Sequence, residues 1–369
     1  MRILIISLHA GEGHVKAAQG LEEAFKANYP LIKVKRVDFF DYSSHLIEKI
    51  YGELYLAVAT HAPHLHNFLY GTLNKLKSDG AHYGRIIFDA LNAQPLLKLV
   101  EEYDPEVVVV THPVPGAVIN MFQKKKRPLV VVITDYELHR LWRIKNVSLY
   151  FVASEDVKRQ LIEEGVDSSK ISTFGIPLRI GFAKQETKQA IRKRLGFSDL
   201  FTVFILAGSF GVSPAQEILQ SMNKINLPFQ VIVVTGRNDK MFSAIEKSKA
   251  SFSFPLYLFG FTEQISDLMS ASDVLISKPG GVTVTETLAK LLPMIMIKGF
   301  GGQEEANIRF LLKHKCALYA PDNALIPTFL TRMVKKPLLL KSFQERMRPF
   351  SNPDSSFKIA EAIWKKILI

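Results

Sequence analysis

Short runs of Val, Ile and Leu alternate with helix-length amphipathic stretches almost from end to end of the chain. In the first half the pattern predicts strands at Arg2–Leu8, Lys33–Asp38, Glu106–Thr111, Leu129–Thr134 and Leu149–Ala153. Helices are expected over Gly13–Asn28, Ser43–Ala59, Arg85–Tyr103, Gly116–Lys125 and Ser154–Gly165. The runs VVVV at 107–110 and VVVI at 130–133 show no polar alternation. Strands of that kind are buried on both faces, which predicts parallel sheets covered by helices. GIPLR at Gly175–Arg179 interrupts the alternation, and a charged helix over Glu186–Leu195 follows. A second series of strands is expected at Phe201–Ala207, Gln230–Thr235, Leu256–Phe259, Val274–Ser277 and Met294–Ile297. The fold expected is therefore α/β, with two Rossmann-like doubly wound domains facing across a cleft, residues 1–177 and residues 178–349. The end of the chain reads as an amphipathic helix over Ser355–Leu368, and the segment 350–369 is expected to pack back on the first domain.

Composition narrows the class. The 369 residues exceed what one core usually serves, and 47% hydrophobic with 22% charged residues is a globular profile. Lys and Arg number 47 against 35 acidic residues, and the +12 surplus favours an anionic partner: nucleic acid, acidic lipid or a phosphorylated metabolite. A nucleic-acid module accounts for the charge but not for the placement of the glycine loops, so no nucleic-acid partner is expected. The one cysteine, Cys316, leaves no internal disulfide framework and no Cys-rich metal site. No apolar run approaches the length of a membrane span, and the first strand leads straight into a polar loop. The expectation is a cytoplasmic protein without a signal peptide.

Ligands of doubly wound sheets bind beyond the carboxyl ends of the strands, so the loops there are the place to seek chemistry. Ser7–His14 (SLHAGEGH) fits neither common phosphate loop: His14 and Val15 stand where a Walker loop needs Lys and Ser/Thr, and Lys16 where a dinucleotide fingerprint needs a small residue. Asp38 mimics the ribose acid of that fingerprint, so a dinucleotide reading stays open beside a plain glycine turn. A third reading rests on His14 lying in the first turn of a helix. There the macrodipole disfavours imidazolium and leaves a neutral ring able to accept a proton. Ahead of the next helix, Gly208-Ser209-Phe210-Gly211 precedes Ser213-Pro214-Ala215-Gln216, a start signature with Ser213 as N-cap and Pro214 as first residue. Its free amides suit an anion. In Ser277–Lys290 (SKPGGVTVTETLAK) the turn at Pro279-Gly280-Gly281 admits a ligand close to the backbone. Thr283-x-x-Glu286 reads either as a capping box or as a carboxylate for two sugar hydroxyls. Gln303, Glu304 and Asn307 open a further helix, with a solvated polar turn as the plainer reading.

Taken together, SLHAGEGHVKAA (Ser7–Ala18), TDYELHRLW (Thr134–Trp142), YFVASE (Tyr150–Glu155), GIP (Gly175–Pro177), TGRN (Thr235–Asn238), GFT (Gly260–Thr262), SKPGGVT (Ser277–Thr283) and GQEEAN (Gly302–Asn307) resemble GT-B glycosyltransferases of family 28. The resemblance is to the diacylglycerol group, which holds monogalactosyldiacylglycerol synthases and processive diacylglycerol glucosyltransferases. It implies an inverting transfer of glucose or galactose from a UDP-sugar to the 3-hydroxyl of 1,2-diacylglycerol. The residues it implies at the donor are Gly208, Ser209 and Phe210 with Lys278, Gly280, Gly281 and Thr283 on the phosphate side, Phe261 at the base, Glu286 at the ribose, Gln303 and Glu304 at the sugar, and Arg237 as a further donor-binding residue. His14 is the implied catalytic base, with Asp135 the rival base or the group orienting the acceptor; His139 is implied to lie in the cleft. No Asp-x-Asp triplet is present, and no metal or cofactor is expected. A related transferase acting on a polyprenyl-diphosphate-linked wall intermediate is the alternative.

A lipid acceptor requires membrane contact, expected at the inner face of the cell membrane. Candidates are the aromatic and aliphatic residues Tyr51, Tyr55, Leu56, Phe68, Leu69, Tyr70, Tyr83 and Phe88 with the basic cluster Lys124–Arg127, meeting an anionic surface. The charge run Lys184–Arg194 reads as a solvated helix surface.

Overall fold

The computed structural model describes residues 1–9, 11–50, 79–208, 213–299 and 302–368, with side chains described from residue 84 onward in the helix Asp79–Asn92. The chain divides into two compact units: Met1–Ile180 with Phe300–Ala306 and Asp354–Ile369, and Gly181–Gly299 with Asn307–Pro353.

Each unit is built on a six-stranded parallel sheet. The first has β1 (Arg2–Ser7), β2 (Lys33–Asp38), β3 (Val107–Val110), β4 (Leu129–Val132), β5 (Leu149–Phe151) and β6 (Ile171–Ser172), in spatial order 2-1-3-4-5-6. The second has β7 (Phe201–Leu206), β8 (Phe229–Val234), β9 (Leu256–Phe259), β10 (Val274–Ser277), β11 (Met294–Ile297) and β12 (Ala317–Ala320), in order 12-11-10-7-8-9. The two edge strands β6 and β12 are absent from the sequence reading. Residues Ile171–Ser172 are too few to show periodicity, and Ala317–Ala320 carry only one strongly β-favouring side chain, Tyr319.

The uninterrupted apolar runs have the expected cause. Ile3, Ile5, Val107, Val109, Val130 and Val132 pack against Ala18, Leu21 and Phe25 of the helix Glu12–Asn28 and against Ile359, Ala360 and Ile363 of the helix Ser355–Ile363. Their neighbours Leu4, Ile6, Val108, Val110 and Val131 pack on the opposite face with Val114 and Val118. The terminal helix thus closes the first unit. Ser355 Oγ donates to Ile176 O at 2.9 Å and Ser356 Oγ to Leu178 O at 2.5 Å, which fixes the GIPL segment. Gly20 makes this crossing possible, because a Cβ there would sit 2.4 Å from Leu178 O.

Several expected elements differ for local reasons. The helix expected over Arg85–Tyr103 is two, Asp79–Asn92 and Gln94–Tyr103, because Pro95 cannot continue a helix and takes the first turn of a new one. The next starts earlier than expected, at Pro113, with His112 as its cap. Of the helix expected over Ser43–Ala59, His45–Glu48 is helical and residues 51–59 lie outside the described residues. Ser213 does not cap: Pro214 takes the cap position of the helix Ala215–Met222 and no side chain caps it. The Thr283–Glu286 capping box also fails, since Gly280, extended at φ −63° and ψ 147°, starts the helix Gly281–Ala289 and puts Thr283 inside it.

Two charge runs are more structural than expected. Arg127 is buried, pairing with Glu101 at 3.0 Å and Asp104 at 3.1 Å. Lys125 pairs with Asp104 at 2.8 Å, so Arg127 is withdrawn from any lipid-facing cluster. Arg192, in the run read as solvated, is buried and binds Asp273 at 2.7 Å, Asp199 at 3.0 Å and Ala271 O at 2.9 Å. The Arg192 guanidinium can be buried because its donors are met in this way, whereas Arg127 keeps its Nε unmet among the described residues and relies on the two ion pairs.

Candidate active site

In the first unit the chain leaves β1 to one side for β2 and to the other for β3, so the loops after β1 and β3 flank the point where strand order reverses. The loop after β1 turns at Gly11, whose φ of 146° and ψ of 148° suit glycine alone, and enters the helix Glu12–Asn28 with His14 as its third residue. The loop after β3 brings Thr111 beside it. His14 Nδ1 lies 2.7 Å from Thr111 O, and a carbonyl can only accept, so Nδ1 carries the hydrogen and Nε2 keeps its lone pair. Thr134 Oγ1 sits 2.9 Å from the same Nδ1, while Thr111 Oγ1 donates to His14 O at 2.9 Å. The ring is thus held in position and tautomer from two loops.

The His14 pKa is lowered to about 4, chiefly by burial, against the opposing pull of the Thr111 hydrogen bond and of Asp38. The neutral ring expected from the helix dipole is present, but burial is its main cause. His112 meets His14 edge to face, with centroids 4.6 Å apart and planes at 84°. Its Nδ1 accepts from Val114 N at 3.2 Å, and burial, reinforced by His14 and Arg85, holds its pKa well below the usual value. His139 is buried, its Nδ1 accepting from Leu141 N at 3.3 Å, with its pKa down to about 4 through burial and then Arg85. Arg85 Nε and Nη2 are buried without hydrogen-bond partners among the described residues. Sequence reasoning missed Arg85, His112 and Trp142. Only the bulk of Trp142, at the end of the motif TDYELHRLW, signalled one of them.

Asp135, just past β4, is buried, and its pKa is raised to about 6 by burial, opposed by Trp142. Trp142 Nε1 donates to its Oδ2 at 2.7 Å, and Gln303 Nε2 donates to the same oxygen at 3.2 Å. Asp38 serves its own loop: Oδ1 accepts from His9 N at 3.3 Å and Phe40 N at 3.0 Å, and Oδ2 from Ser7 Oγ at 3.1 Å.

In the second unit β7 and β10 are the neighbours at the reversal point, joined by Ser277 Oγ donating to Leu206 O at 2.8 Å. Gly208 follows β7 with φ 79°; Ser209 and Phe210 lie outside the described residues. After β10 come Lys278, Pro279 and Gly280, and then the amino end of the helix Gly281–Ala289, with no side-chain cap on its free amides. Glu286 is buried within that helix. Beyond β8 and β9, the Arg237 guanidinium lies 5.0 Å from the centre of the exposed Phe261 ring. Gly208, Arg237, Phe261, Lys278, Gly280, Gly281 and Thr283 all follow carboxyl ends of strands in this one sheet. Gln303 and Glu304 belong with the first unit, where Gln303 meets Asp135.

Two units, each a six-stranded parallel sheet flanked by helices, are the architecture of GT-B glycosyltransferases, and comparison with known proteins agrees. Residues 14–178 match the family model described as monogalactosyldiacylglycerol (MGDG) synthase, and residues 202–363 match the glycosyltransferase family 28 C-terminal domain. A processive diacylglycerol β-glucosyltransferase of Bacillus cytotoxicus is 30% identical over 375 residues, covering 98% of this chain and 93% of the relative. The protein of the same description from Bacillus mycoides is 29% identical, with coverage of 98% and 93%. Among solved structures, Acinetobacter baumannii MurG superposes with a TM-score of 0.65 at 12% identity, covering 99% of each chain. Anabaena HepE in complex with UDP-glucose gives 0.55 at 16% identity, covering 99% of this chain and 100% of that one. These two show the fold alone. The chain belongs to the diacylglycerol glycosyltransferase group of glycosyltransferase family 28 and is a hexosyltransferase.

Proposed function

We propose that the protein moves glucose or galactose from a UDP-sugar to the 3-hydroxyl of 1,2-diacylglycerol by a single displacement with inversion, giving a β-glycosyl diacylglycerol. The observation that carries the chemistry is the His14 ring, neutral and locked through Nδ1, with Nε2 left as a lone-pair acceptor. A hydroxyl attacking the anomeric carbon must lose its proton as the C–O bond forms, and Nε2 takes it while the bond to the diphosphate breaks. The imidazolium formed there is relieved by Asp38, whose charge already pulls the ring toward protonation. Asp135 orients the acceptor: Trp142 and Gln303 converge on Oδ2, leaving Oδ1 for the lipid hydroxyl.

In the second unit Glu286 holds the ribose hydroxyls and Phe261, backed by Arg237, the uracil. Gly208 with Ser209 and Phe210, and the turn Lys278–Thr283, take the diphosphate, whose departing charge the amides of the helix Gly281–Ala289 stabilise without a metal. Gln303 and Glu304 orient the donor sugar. Relatives named as diacylglycerol β-glucosyltransferases support the lipid acceptor.

No helix among the described residues is long and apolar enough to cross a membrane, and access to the lipid is proposed to be peripheral, at the inner face of the cell membrane. Exposed Ile87, Phe88 and Leu91 on the helix Asp79–Asn92, with Leu46 and Ile50, support this contact. Tyr51, Tyr55, Leu56, Phe68, Leu69 and Tyr70 lie outside the described residues, as does the side chain of Tyr83. The test is mass analysis of lipid products when UDP-glucose and UDP-galactose are offered separately with diacylglycerol vesicles, or with a polyprenyl-diphosphate sugar. A hexosyl diacylglycerol from one donor, formed equally well with a chelator present, is expected. Product on the polyprenyl acceptor alone transfers the protein to the other branch.

A further inference from the structure

Asn307 opens the second unit's share of the helix Gln303–Lys313 and is buried, 1% exposed, where a polar first turn facing solvent was the plainer expectation. Its Nδ2 donates to Pro279 O at 2.8 Å. A backbone carbonyl can only accept, so this contact fixes which end of the amide is which. The other end, Oδ1, is buried and has no hydrogen-bond partner among the described residues. A buried acceptor left unmet costs roughly 1–3 kcal/mol, so the arrangement is retained against a penalty.

Pro279 sits at the turn between β10 and the helix Gly281–Ala289. Gly280 N donates back to Lys278 O at 3.0 Å, and no side chain caps the helix amides that follow. Proline has no N–H, so the carbonyl of Pro279 is the only backbone hydrogen-bonding group that residue can offer to hold the turn. Asn307 grips that group from outside the turn.

We infer that Asn307 is a positioning residue for the diphosphate: its Nδ2 clamp on Pro279 O aims the free amides of Gly281–Thr283, and Oδ1 accepts from a water that the bound diphosphate also holds. This rests on the proposed UDP-sugar site and adds to it a residue that acts through the turn. The clamp acts on the phosphate side alone, so it leaves nucleoside recognition at Phe261 and Glu286 untouched.

The test is calorimetry of UDP and of uridine with the full-length protein, wild type, Asn307→Leu and Asn307→Ser, beside thermal melting. Leu matches the volume without either polar end; Ser keeps a short donor and allows water. The expected result is a Kd for UDP raised about tenfold or more in Asn307→Leu, the scale of one decade per hydrogen-bonded contact, with uridine affinity unchanged and partial recovery in Asn307→Ser. Donor KM should rise by a similar factor, with kcat changed less. Equal losses for UDP and uridine, or unchanged UDP affinity in a folded Asn307→Leu protein, overturn the inference. If Asn307→Leu does not fold, Asn307→Ser carries the same comparison. Wild-type protein binding neither ligand sinks the donor-site reading itself, a different outcome from selective loss in the variant.

Discussion

Each unit is a six-stranded parallel sheet with one reversal of strand order, between β1 and β3 in the first and between β7 and β10 in the second, and the two use that point differently. In the first, the loops at the reversal of strand order carry His14 and His112, neutral through burial, with the tautomer of His14 set by the carbonyl of Thr111 and that of His112 by the backbone N–H of Val114. In the second, the corresponding loops carry Gly208, Pro279 and Gly280 and deliver backbone amides, with Asn307 behind them. On the function proposed here, one crevice moves a proton and the other holds an anion. The sheet fixes where a ligand can sit; the residues after the strands decide what happens to it.

The largest expected effect breaks the first crevice. His14→Ala should lower turnover about 10²–10⁴-fold, the range for loss of a general base, measured with saturating donor and lipid. Next is Glu286→Gln in the second crevice, which weakens charge-assisted bonds to ribose and should raise the Kd for UDP roughly tenfold to a hundredfold by titration calorimetry. Equal loss of uridine affinity in that variant sharpens the contrast with Asn307.

Much of the fold was legible in the sequence. The valine runs of β3 and β4, without polar alternation, point to strands buried on both faces, and with them to parallel sheets and to the loops worth reading. The glycine turn at Pro279–Gly281 pointed to a helix start with free amides, which the structure shows. What was not legible were contacts set by distant chain segments. Nothing near His14 foretells that Thr111 supplies the carbonyl that locks it, because the two are 97 positions apart and meet only when β1 pairs with β3. Arg192 and Arg127 looked like surface charge because a partner such as Asp273, 81 positions from Arg192, is invisible in a local window. Thr283–Glu286 imitated a capping box because Gly280 starts the helix sooner than the motif alone predicts.

A packing test separates framework from site. Gly20→Ala forces a Cβ into Leu178 O and should cost about 1–3 kcal/mol of stability, read as a lower Tm, with UDP affinity kept. Gly208→Ala has nothing within 4 Å of the new Cβ but a φ of 79°, so strain of roughly 1–2 kcal/mol should appear with weaker UDP binding.

The pH dependence distinguishes the two candidate bases. With His14 as the base, kcat/KM falls as pH drops through about 4; with Asp135, it falls through about 6. Stability follows from the same groups. His14, His112 and His139 have folded pKa values below the unfolded one, so the unfolded chain takes up more protons as pH falls below about 6.5 and stability is lost. Asp135, raised to about 6, works the other way: it binds its proton more tightly when folded, and that contribution is lost as pH rises toward 6. Three groups against one predict a net fall in Tm between pH 6.5 and 4. A flat or rising Tm there means that the histidines are not buried neutral.

The central claim is that proton transfer and nucleotide binding reside in separate crevices, and UDP calorimetry on His14→Ala tests it most directly. The account predicts a Kd within about twofold of wild type in a variant whose turnover has collapsed. A Kd that worsens in step with the lost turnover contradicts it.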